Sequence, residues 1–248
     1  SARQQACCSA LARSLAFLFS ACGACALERK RRAPTLHALR TDPKSATAWI
    51  RLGMSGGGAM AGKLYDATAC YEEALRIDPT FAQAWNSLGI AGGGSVAGTQ
   101  YNGTTCYEEA LRIDPKLAYA WNGLGVAGGG FVAGKRYDAN ACFEEALRID
   151  PKFANAWVGL GAVGGGTVAD KHYNGSGCLE EALRIDSKLA KVAIVWFNLG
   201  RAGGGTVTGK RYDATACYEE ALLISSQICR GLDSSRRSWW RHIGRQAL

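Results

Sequence analysis

The sequence predicts an all-α protein of the solenoid class, built from about five helix-turn-helix repeats. The element Cys-x-Glu-Glu-Ala-Leu occurs five times, and its cysteines are Cys70, Cys106, Cys142, Cys178 and Cys217. The first three intervals between these cysteines are 36 residues, and the last interval is 39. A period in this range is typical of supersecondary units that bury their apolar faces only by stacking on their neighbours.

The first helix of each repeat, here named helix A, is predicted from apolar residues at helical spacing, such as Trp121 and Leu124. Gly125 has no side chain, which predicts close packing of a neighbouring helix. The triplet Gly128-Gly129-Gly130 predicts the end of the helix, because glycine adopts left-handed backbone readily and loses the most entropy in a helix. In the fifth repeat three extra residues within Lys188 to Val195 add about one turn, which predicts a longer helix A there.

The second helix, named helix B, is predicted to begin at an Asp or Asn that caps free backbone N–H groups. The five equivalent caps are Asp66, Asn102, Asp138, Asn174 and Asp213. Asp150-Pro151 predicts the end of helix B, because the residue before a proline avoids helical backbone. Glu144 and Arg148 are four residues apart, which favours an ion pair between them. The repeated Glu-Glu pairs are most simply interpreted as a solvated face.

These residues resemble the tetratricopeptide repeat (TPR), and the resemblance covers roughly residues 34–224. In the second repeat the matching positions are Trp85, Leu88-Gly89, Tyr107, Ala110 and Pro115. The unit is longer than the family's 34 residues. Its glycine-rich loop, with a valine such as Val132, also looks like the related Sel-type repeat. The resemblance implies a right-handed superhelix whose concave face, lined by helices A, binds peptides or proteins.

The same resemblance implies a partner-binding groove on helix A. Its residues are Gln83, Asn86, Ile90, Tyr119, Asn122, Val126, Asn155 and Val158. The amides of Asn86 and Asn122 would hydrogen-bond an extended peptide backbone, or simply face water. We therefore expect a non-catalytic scaffold for protein–protein interaction. The alternatives are a structural subunit of a larger assembly, including a membrane-associated one, and the repeat region of a larger enzyme.

Charge and composition divide the chain into three parts. Residues 1–33 are an apolar and then basic extension, interpreted as a targeting segment, a membrane anchor or a helix packed on the first repeat. Residues 34–224 form the repeat array, and within residues 45–224 there are 16 basic and 18 acidic side chains. That near-neutrality argues against a nucleic-acid partner. Residues 225–248 form a basic tail with Trp239 and Trp240, interpreted as part of a terminal cap or as an Arg/Trp patch for nucleic acid or membrane.

The glycine-rich loops contain a motif that resembles a nucleotide-binding sequence. Gly129 to Lys135 matches the phosphate-loop pattern G-x-x-x-x-G-K, but a helix is predicted before it and Arg136 stands where a Ser or Thr is needed. We therefore expect no nucleotide. The basic residues of these loops predict a solvated edge, or a site for an acidic partner: Lys63, Lys135, Arg136, Lys171, Lys210 and Arg211.

The repeated cysteines fall at one helical position, one repeat apart, which is too far for disulfides. They predict small core residues in a reducing compartment such as the cytoplasm, with organelle or membrane targeting as the alternative. The three histidines, His37, His172 and His242, lie in unlike segments. An active site needs unlike groups at one point, so we expect neither an enzyme nor a bound metal or cofactor.

Overall fold

The computed structural model describes residues 33–231, with the side chains of residues 191 and 225–231 excepted. The predicted extension over residues 1–32 and the tail over residues 232–248 lie outside the described residues. The chain divides into two compact units, Ser1–Ile113 and Asp114–Leu248. The first contains repeats 1 and 2, and the second contains repeats 3 to 5.

In both units a two-stranded hairpin follows every second helix. The first unit contains helix α1 (residues 33–41), α2 (Ala46–Met54), β1 (Gly58–Met60), β2 (Lys63–Tyr65), α3 (Ala67–Ile77), α4 (Ala82–Ile90), β3 (Gly93–Val96), β4 (Thr99–Asn102) and α5 (Gly103–Ile113). The second contains α6 (Ala118–Val126), β5 (Gly129–Val132), β6 (Lys135–Asp138), α7 (Ala139–Ile149), α8 (Ala154–Ala162), β7 (Gly165–Val168), β8 (Lys171–Asn174), α9 (Gly175–Ile185), a 3-10 helix (Ser187–Lys191), α10 (Ala193–Arg201), β9 (Gly204–Val207), β10 (Lys210–Asp213) and α11 (Ala214–Gly231).

Each repeat is a helix A, a hairpin and a helix B. Helix A is α2, α4, α6, α8 or α10, and helix B is α3, α5, α7, α9 or α11. The predicted all-α, helical-repeat class is confirmed by this pattern. The predicted longer helix A of the fifth repeat is wrong, because α10 has 9 residues like its equivalents. The inserted residues instead form the 3-10 helix that precedes it.

The predicted caps of helix B are confirmed. The Asp138 side chain accepts a hydrogen bond from the backbone N–H of Ala141 at 2.8 Å, and this satisfies one of the free donors at the start of α7. The same bond occurs at the other four caps, with lengths of 2.8 to 2.9 Å: Asp66, Asn102, Asn174 and Asp213. Helix α7 ends at Ile149, so the Asp150-Pro151 stop is confirmed as well.

A hairpin replaces the loop that the sequence predicted between helices A and B. Strands β5 and β6 pair antiparallel, with Gly129 opposite Asp138 and Val132 opposite Lys135. The two-residue turn between them has φ of 50° at Ala133 and 79° at Gly134. Positive φ at both turn residues is typical of the type I′ turn, whose twist matches that of a hairpin.

The tryptophan of each repeat anchors the core. Trp121 is 4% exposed, and its ring N–H donates to the carbonyl of Pro115 at 2.9 Å. Tyr137 packs edge-on against the Trp121 ring, with 4.8 Å between ring centroids. The equivalent pairs, at 4.7 to 4.9 Å, are Trp49–Tyr65, Trp85–Tyr101, Trp157–Tyr173 and Trp196–Tyr212. An aromatic contact therefore packs the hairpin against helix A in each repeat.

The predicted close packing at Gly125 is confirmed. A Cβ atom at Gly125 would lie 2.7 Å from a ring carbon of Phe143, and a Cβ atom at Gly159 would lie 2.4 Å from the same carbon. The Phe143 ring of α7 therefore sits between two successive helices A, and both approach it where a glycine leaves room.

Candidate functional site

The structure divides the predicted groove residues between the two compact units. In the first unit Gln83 and Ile90 are exposed, and Ile90 keeps 71% of its side chain accessible. Asn86 is buried, at 9% exposure. Helix α4 therefore presents one large apolar side chain and one amide to solvent, with a second amide set below the surface.

In the second unit the predicted residues belong to α6 and α8. Tyr119 is 64% exposed and Val126 is 74% exposed, so α6 carries two large uncovered apolar side chains. Asn155 of α8 is also exposed. Val158 is half-buried and packs against the core cluster that contains Leu179 and Trp196. The helix A face, as we call the exposed side of α6 and α8, is therefore partly apolar and partly amide.

Tyr119 has a fixed position on this face. Its ring packs edge-on against Phe153, the residue that precedes α8, with 4.8 Å between centroids. An aromatic pair of this geometry contributes about 0.5 to 1.5 kcal/mol beyond its area burial. The exposed Tyr119 ring is therefore held against Phe153.

Two of the predicted amides have an unused acceptor. The side-chain Oδ1 atoms of Asn86 and Asn122 are buried, and neither has a hydrogen-bond partner in the described part of the chain. Buried polar atoms are nearly always paired, so these two oxygens are exceptions within the described residues. Asn122 is only half-buried as a residue and lies one turn from Tyr119.

The fifth repeat adds two residues that the sequence interpretation missed. Ile194 stands two positions before Trp196 and is 55% exposed, and Phe197 stands one position after it and is 46% exposed. These are the positions that Tyr119 and Asn122 hold around Trp121. Extending the same spacing to the fifth tryptophan would have found them.

A shallow cavity of about 310 Å³ lies where α8 and α10 end. Its polar lining includes Asn174, Asn198 and Arg201. Asn198 is buried, at 6% exposure, whereas Arg201 is exposed. A guanidinium beside amide groups can donate hydrogen bonds to a carbonyl or carboxylate oxygen.

The Gly-Lys motif has a structural role in the hairpin. Gly134 lies in the turn, and the Lys135 Nζ atom lies over the Tyr137 ring, 4.7 Å from its centroid. The same contact, at 4.6 to 4.8 Å, recurs at Lys63–Tyr65, Lys171–Tyr173 and Lys210–Tyr212. A cation over an aromatic face is stabilised by the ring quadrupole. A lysine therefore extends four of the five Trp–Tyr pairs to the surface, and the second repeat has Thr99 at that position. The absence of nucleotide binding stays a prediction.

The repeated cysteines are free thiols in the core. Burial raises the pKa of Cys70, Cys106 and Cys142 to about 12, and that of Cys178 to about 11. A thiol with so high a pKa carries almost no thiolate at neutral pH, so it is a poor nucleophile and metal ligand. Within residues 33–231 no group of three or more His, Cys, Asp or Glu side chains is placed to hold a metal ion.

The interpretation of the Glu-Glu pairs as a solvated face is wrong for Glu144. Its Oε1 atom accepts a hydrogen bond from the backbone N–H of Thr167 in the next hairpin, at 2.7 Å. The predicted Glu144–Arg148 ion pair is also wrong, because Arg148 pairs with Glu145 at 2.7 Å. The two neighbouring carboxylates therefore make different contacts. Glu144 accepts a hydrogen bond from the next repeat, whereas Glu145 forms an ion pair within its own helix.

No helix within residues 33–231 combines the length and the apolar character needed to cross a membrane.

The chain matches no protein-family model. It also matches no curated protein sequence. One crystal structure of MamA protein is similar at 22% identity and a TM-score of 0.36, covering 62% of this chain and 79% of that chain. A second crystal structure of MamA has 16% identity and a TM-score of 0.37, covering 80% of this chain and 89% of that chain. At these low scores, assignment of this chain to the helical-repeat class depends on its own five repeats.

Proposed function

We propose that this chain is a TPR-like scaffold that binds an extended peptide or protein segment along the helix A face of its second compact unit. The observation that carries the proposal is the uncovered apolar surface of α6, where Tyr119 and Val126 are 64% and 74% exposed. Large apolar side chains clustered on a surface are typical of interaction sites.

The variation between repeats supports the same face. Two positions before the tryptophan, the third repeat has Tyr119 and the fourth has Asn155, whereas the tryptophan itself does not change. Constant core positions preserve the packing of the repeats, while varied surface positions give each repeat a different contact. A partner of irregular sequence would be recognised through a few such anchors, of which the rigid Tyr119 ring is the strongest.

The polar groups fit an extended backbone. Asn122 is half-buried, and once its amide turns towards solvent the unpaired Oδ1 atom would accept a hydrogen bond from a peptide N–H. Beyond this face, at the end of α10, Arg201 would donate to a peptide carbonyl or carboxylate oxygen in the cavity that it lines. Main-chain hydrogen bonds of this kind give affinity, and side-chain anchors give specificity.

Two paired variants of the full chain test the choice of surface. Tyr119→Ala with Asn122→Ala removes the anchor and the amide, and Lys135→Ala with Arg136→Ala alters the exposed hairpin edge. Each protein is immobilised and exposed to a display library of random extended peptides, and binding of the peptides enriched on the wild type is measured. We expect the first pair to weaken binding at least tenfold and the second pair to change it less than twofold.

Opposite results would assign binding to the basic hairpin edge and so to an acidic partner. No enrichment on the wild type would instead favour the structural-subunit alternative. Thermal melts of both variants serve as the control, because two surface changes should leave the fold intact.

The free, buried cysteines support a reducing compartment for such a scaffold.

A further inference from the structure

The cavity at the ends of α8 and α10 has polar groups that the same place one repeat earlier lacks. Its polar lining residues are Asn174, Asn198 and Arg201. Their equivalents one repeat earlier are, in the same order, Asp138, Gly159 and Ala162. A carboxylate is therefore replaced by an amide, and a second amide and a guanidinium are added. The loss of one negative charge and the gain of one positive charge both favour an anionic ligand.

A glycine keeps the same cavity open. Gly175 lines it where the earlier repeat has Ala139. A Cβ atom at Gly175 would lie 3.0 Å from the carbonyl oxygen of Gly161 and 3.5 Å from the Cβ atom of Ala202. Because Gly161 and Ala202 belong to the walls formed by α8 and α10, a side chain at this point would occupy space between them.

Asn198 is a buried amide beside this space. The residue is 6% exposed, and its side chain forms no hydrogen bond within residues 33–231. Buried polar side chains are nearly always hydrogen-bonded, so Asn198 is an exception in this part of the chain. Since it lines the cavity, an oxygen atom of a ligand placed there could accept a hydrogen bond from its amide N–H.

Arg201 is the single charged residue in α6, α8 and α10. It is exposed, and it forms no ion pair with any residue that the structure describes. A cation near a helix C-terminus interacts favourably with the helix dipole. The other helices A nevertheless end without one at this position, where they have Met54, Ile90, Val126 and Ala162. The stability of the helix therefore does not explain why this position is an arginine.

The position of Arg201 sets a distance along the surface. Val126 and Ala162 hold the same position in α6 and α8, and Val126 is 74% exposed. Helix α8 contacts both α6 and α10, and packed helices lie about 8 to 10 Å apart. Two such steps place Val126 and Arg201 about 16 to 20 Å apart. An extended chain rises about 3.3 Å per residue, so about five or six residues cover this distance.

We propose that the segment bound on the helix A face carries an acidic side chain about five or six residues from the apolar residue that contacts Val126. Its carboxylate enters the cavity, where Arg201 and Asn198 donate hydrogen bonds to it. The inference rests on the proposed function and adds the charge and the spacing of the partner. A charge-assisted contact of this kind makes Arg201 a residue that determines specificity.

Peptides enriched on the wild-type chain give the first test. They are synthesised with an acetylated N-terminus and an amidated C-terminus, so that only side chains carry charge. We expect Asp or Glu to recur at the stated spacing from an apolar residue. Replacing that acid by its amide should weaken binding to the wild type about tenfold or more. Arg201→Val, which introduces the residue that α6 has at this position, should bind the acidic peptide and its amide form equally.

Three further variants separate a direct contact from a general effect of charge. Arg211→Val removes one positive charge from an exposed hairpin position in the same repeat, and it should leave the preference for the acid within about twofold of wild type. Asn198→Gly introduces the residue of the fourth repeat and should lower the preference about threefold or more. Arg201→Glu should prefer a peptide in which Lys replaces the acid, about tenfold or more.

Four outcomes would contradict the proposal in different ways. A preference for the acid that Arg201→Val leaves unchanged would overturn it. Enriched peptides that need Tyr119 and Asn122 but have no acid at this spacing would overturn it and leave the proposed function in place. Binding that is lost when the peptide C-terminus is amidated would assign the cavity to a chain end and overturn it as well. A wild type that enriches no peptide would overturn both the inference and the proposed function.

Discussion

Glu144 in the third repeat accepts a hydrogen bond from the backbone N–H of Thr167 in the fourth, with 2.7 Å between Oε1 and N. Gly166 makes room for it, since a Cβ atom there would lie 2.6 Å from the same oxygen. The equivalent bonds are Glu72 to Ser95 at 2.7 Å and Glu180 to Thr206 at 2.6 Å. The first carboxylate of each of these Glu-Glu pairs therefore joins a helix B to the following hairpin.

We expect Glu144→Ala to lower the free energy of unfolding by about 1 to 2 kcal/mol, because it removes a charge-assisted hydrogen bond at a partly exposed site. Glu145→Ala is the matched control, since it removes only a surface ion pair and should cost less than about 0.5 kcal/mol. Urea unfolding followed by circular dichroism measures both. An equal loss in the two variants would mean that the contact with Thr167 contributes nothing.

Replacing the tryptophan of a repeat should be among the most damaging changes in the chain. Trp121→Ala is expected to cost about 3 to 5 kcal/mol, because a large buried ring leaves a cavity. Trp121→Phe keeps most of the packing but loses the bond to the Pro115 carbonyl, and it should cost about 1 to 2 kcal/mol. The measurement is again urea unfolding, and a cost below about 1 kcal/mol for Trp121→Ala would contradict the burial of this ring.

The turn of the fourth hairpin should be open to improvement. Asp170 has φ of 61°, where the equivalent residue in the third repeat is Gly134. Left-handed backbone is strained for a residue with a side chain, so we expect Asp170→Gly to stabilise the chain by about 0.5 kcal/mol. The reverse change, Gly134→Asp, should destabilise it by a similar amount. Melting temperatures that move in the same direction for both variants would refute this account of the turn.

The buried cysteines predict a loss of stability at alkaline pH. Burial raises the pKa of Cys142 to about 12 in the folded chain, so the folded thiol stays protonated where the unfolded one ionises. The stabilisation is complete below the unfolded pKa of about 9 and is lost as the pH rises towards 12. Unfolding free energies measured between pH 8 and pH 11 should therefore fall, and they should fall less steeply in Cys142→Ala. Parallel pH profiles for the two proteins would contradict the prediction.

The features that local sequence determines were predictable. Asp138 caps α7 and Gly125 accommodates a neighbouring ring because each needs only its own backbone position and an adjacent helix. The hairpins were missed because the glycine triplet was interpreted only as a helix stop. The signal was present, since the two-residue turn Ala133-Gly134 separates two short segments that end in Val132 and begin at Lys135.

Features that depend on the next repeat were not predictable from one repeat. Whether Glu144 faces water or a backbone N–H depends on where the following hairpin lies. The same limit applies to the exposure of equivalent positions in the helices A. The position after the tryptophan is buried as Asn86, at 9% exposure, and half-open as Phe197, at 46%. Helical spacing gives the direction of a side chain, whereas the neighbouring elements decide how much of it is covered.

The bond between Glu144 and Thr167 has a consequence for how such a chain can grow. A repeat such as the fourth carries both halves of a junction. Its hairpin N–H at Thr167 donates to the carboxylate of the preceding repeat, and its own Glu180 accepts from the N–H of Thr206 in the next hairpin. The donor is a main-chain N–H group, so its chemistry is nearly independent of which residue stands there. Tandem duplication or deletion of one whole block would therefore leave matched donor and acceptor at the seam. Repeats could therefore be gained or lost during evolution without new mutations at the contacts between them. The close sequence similarity of the five repeats is consistent with such a history.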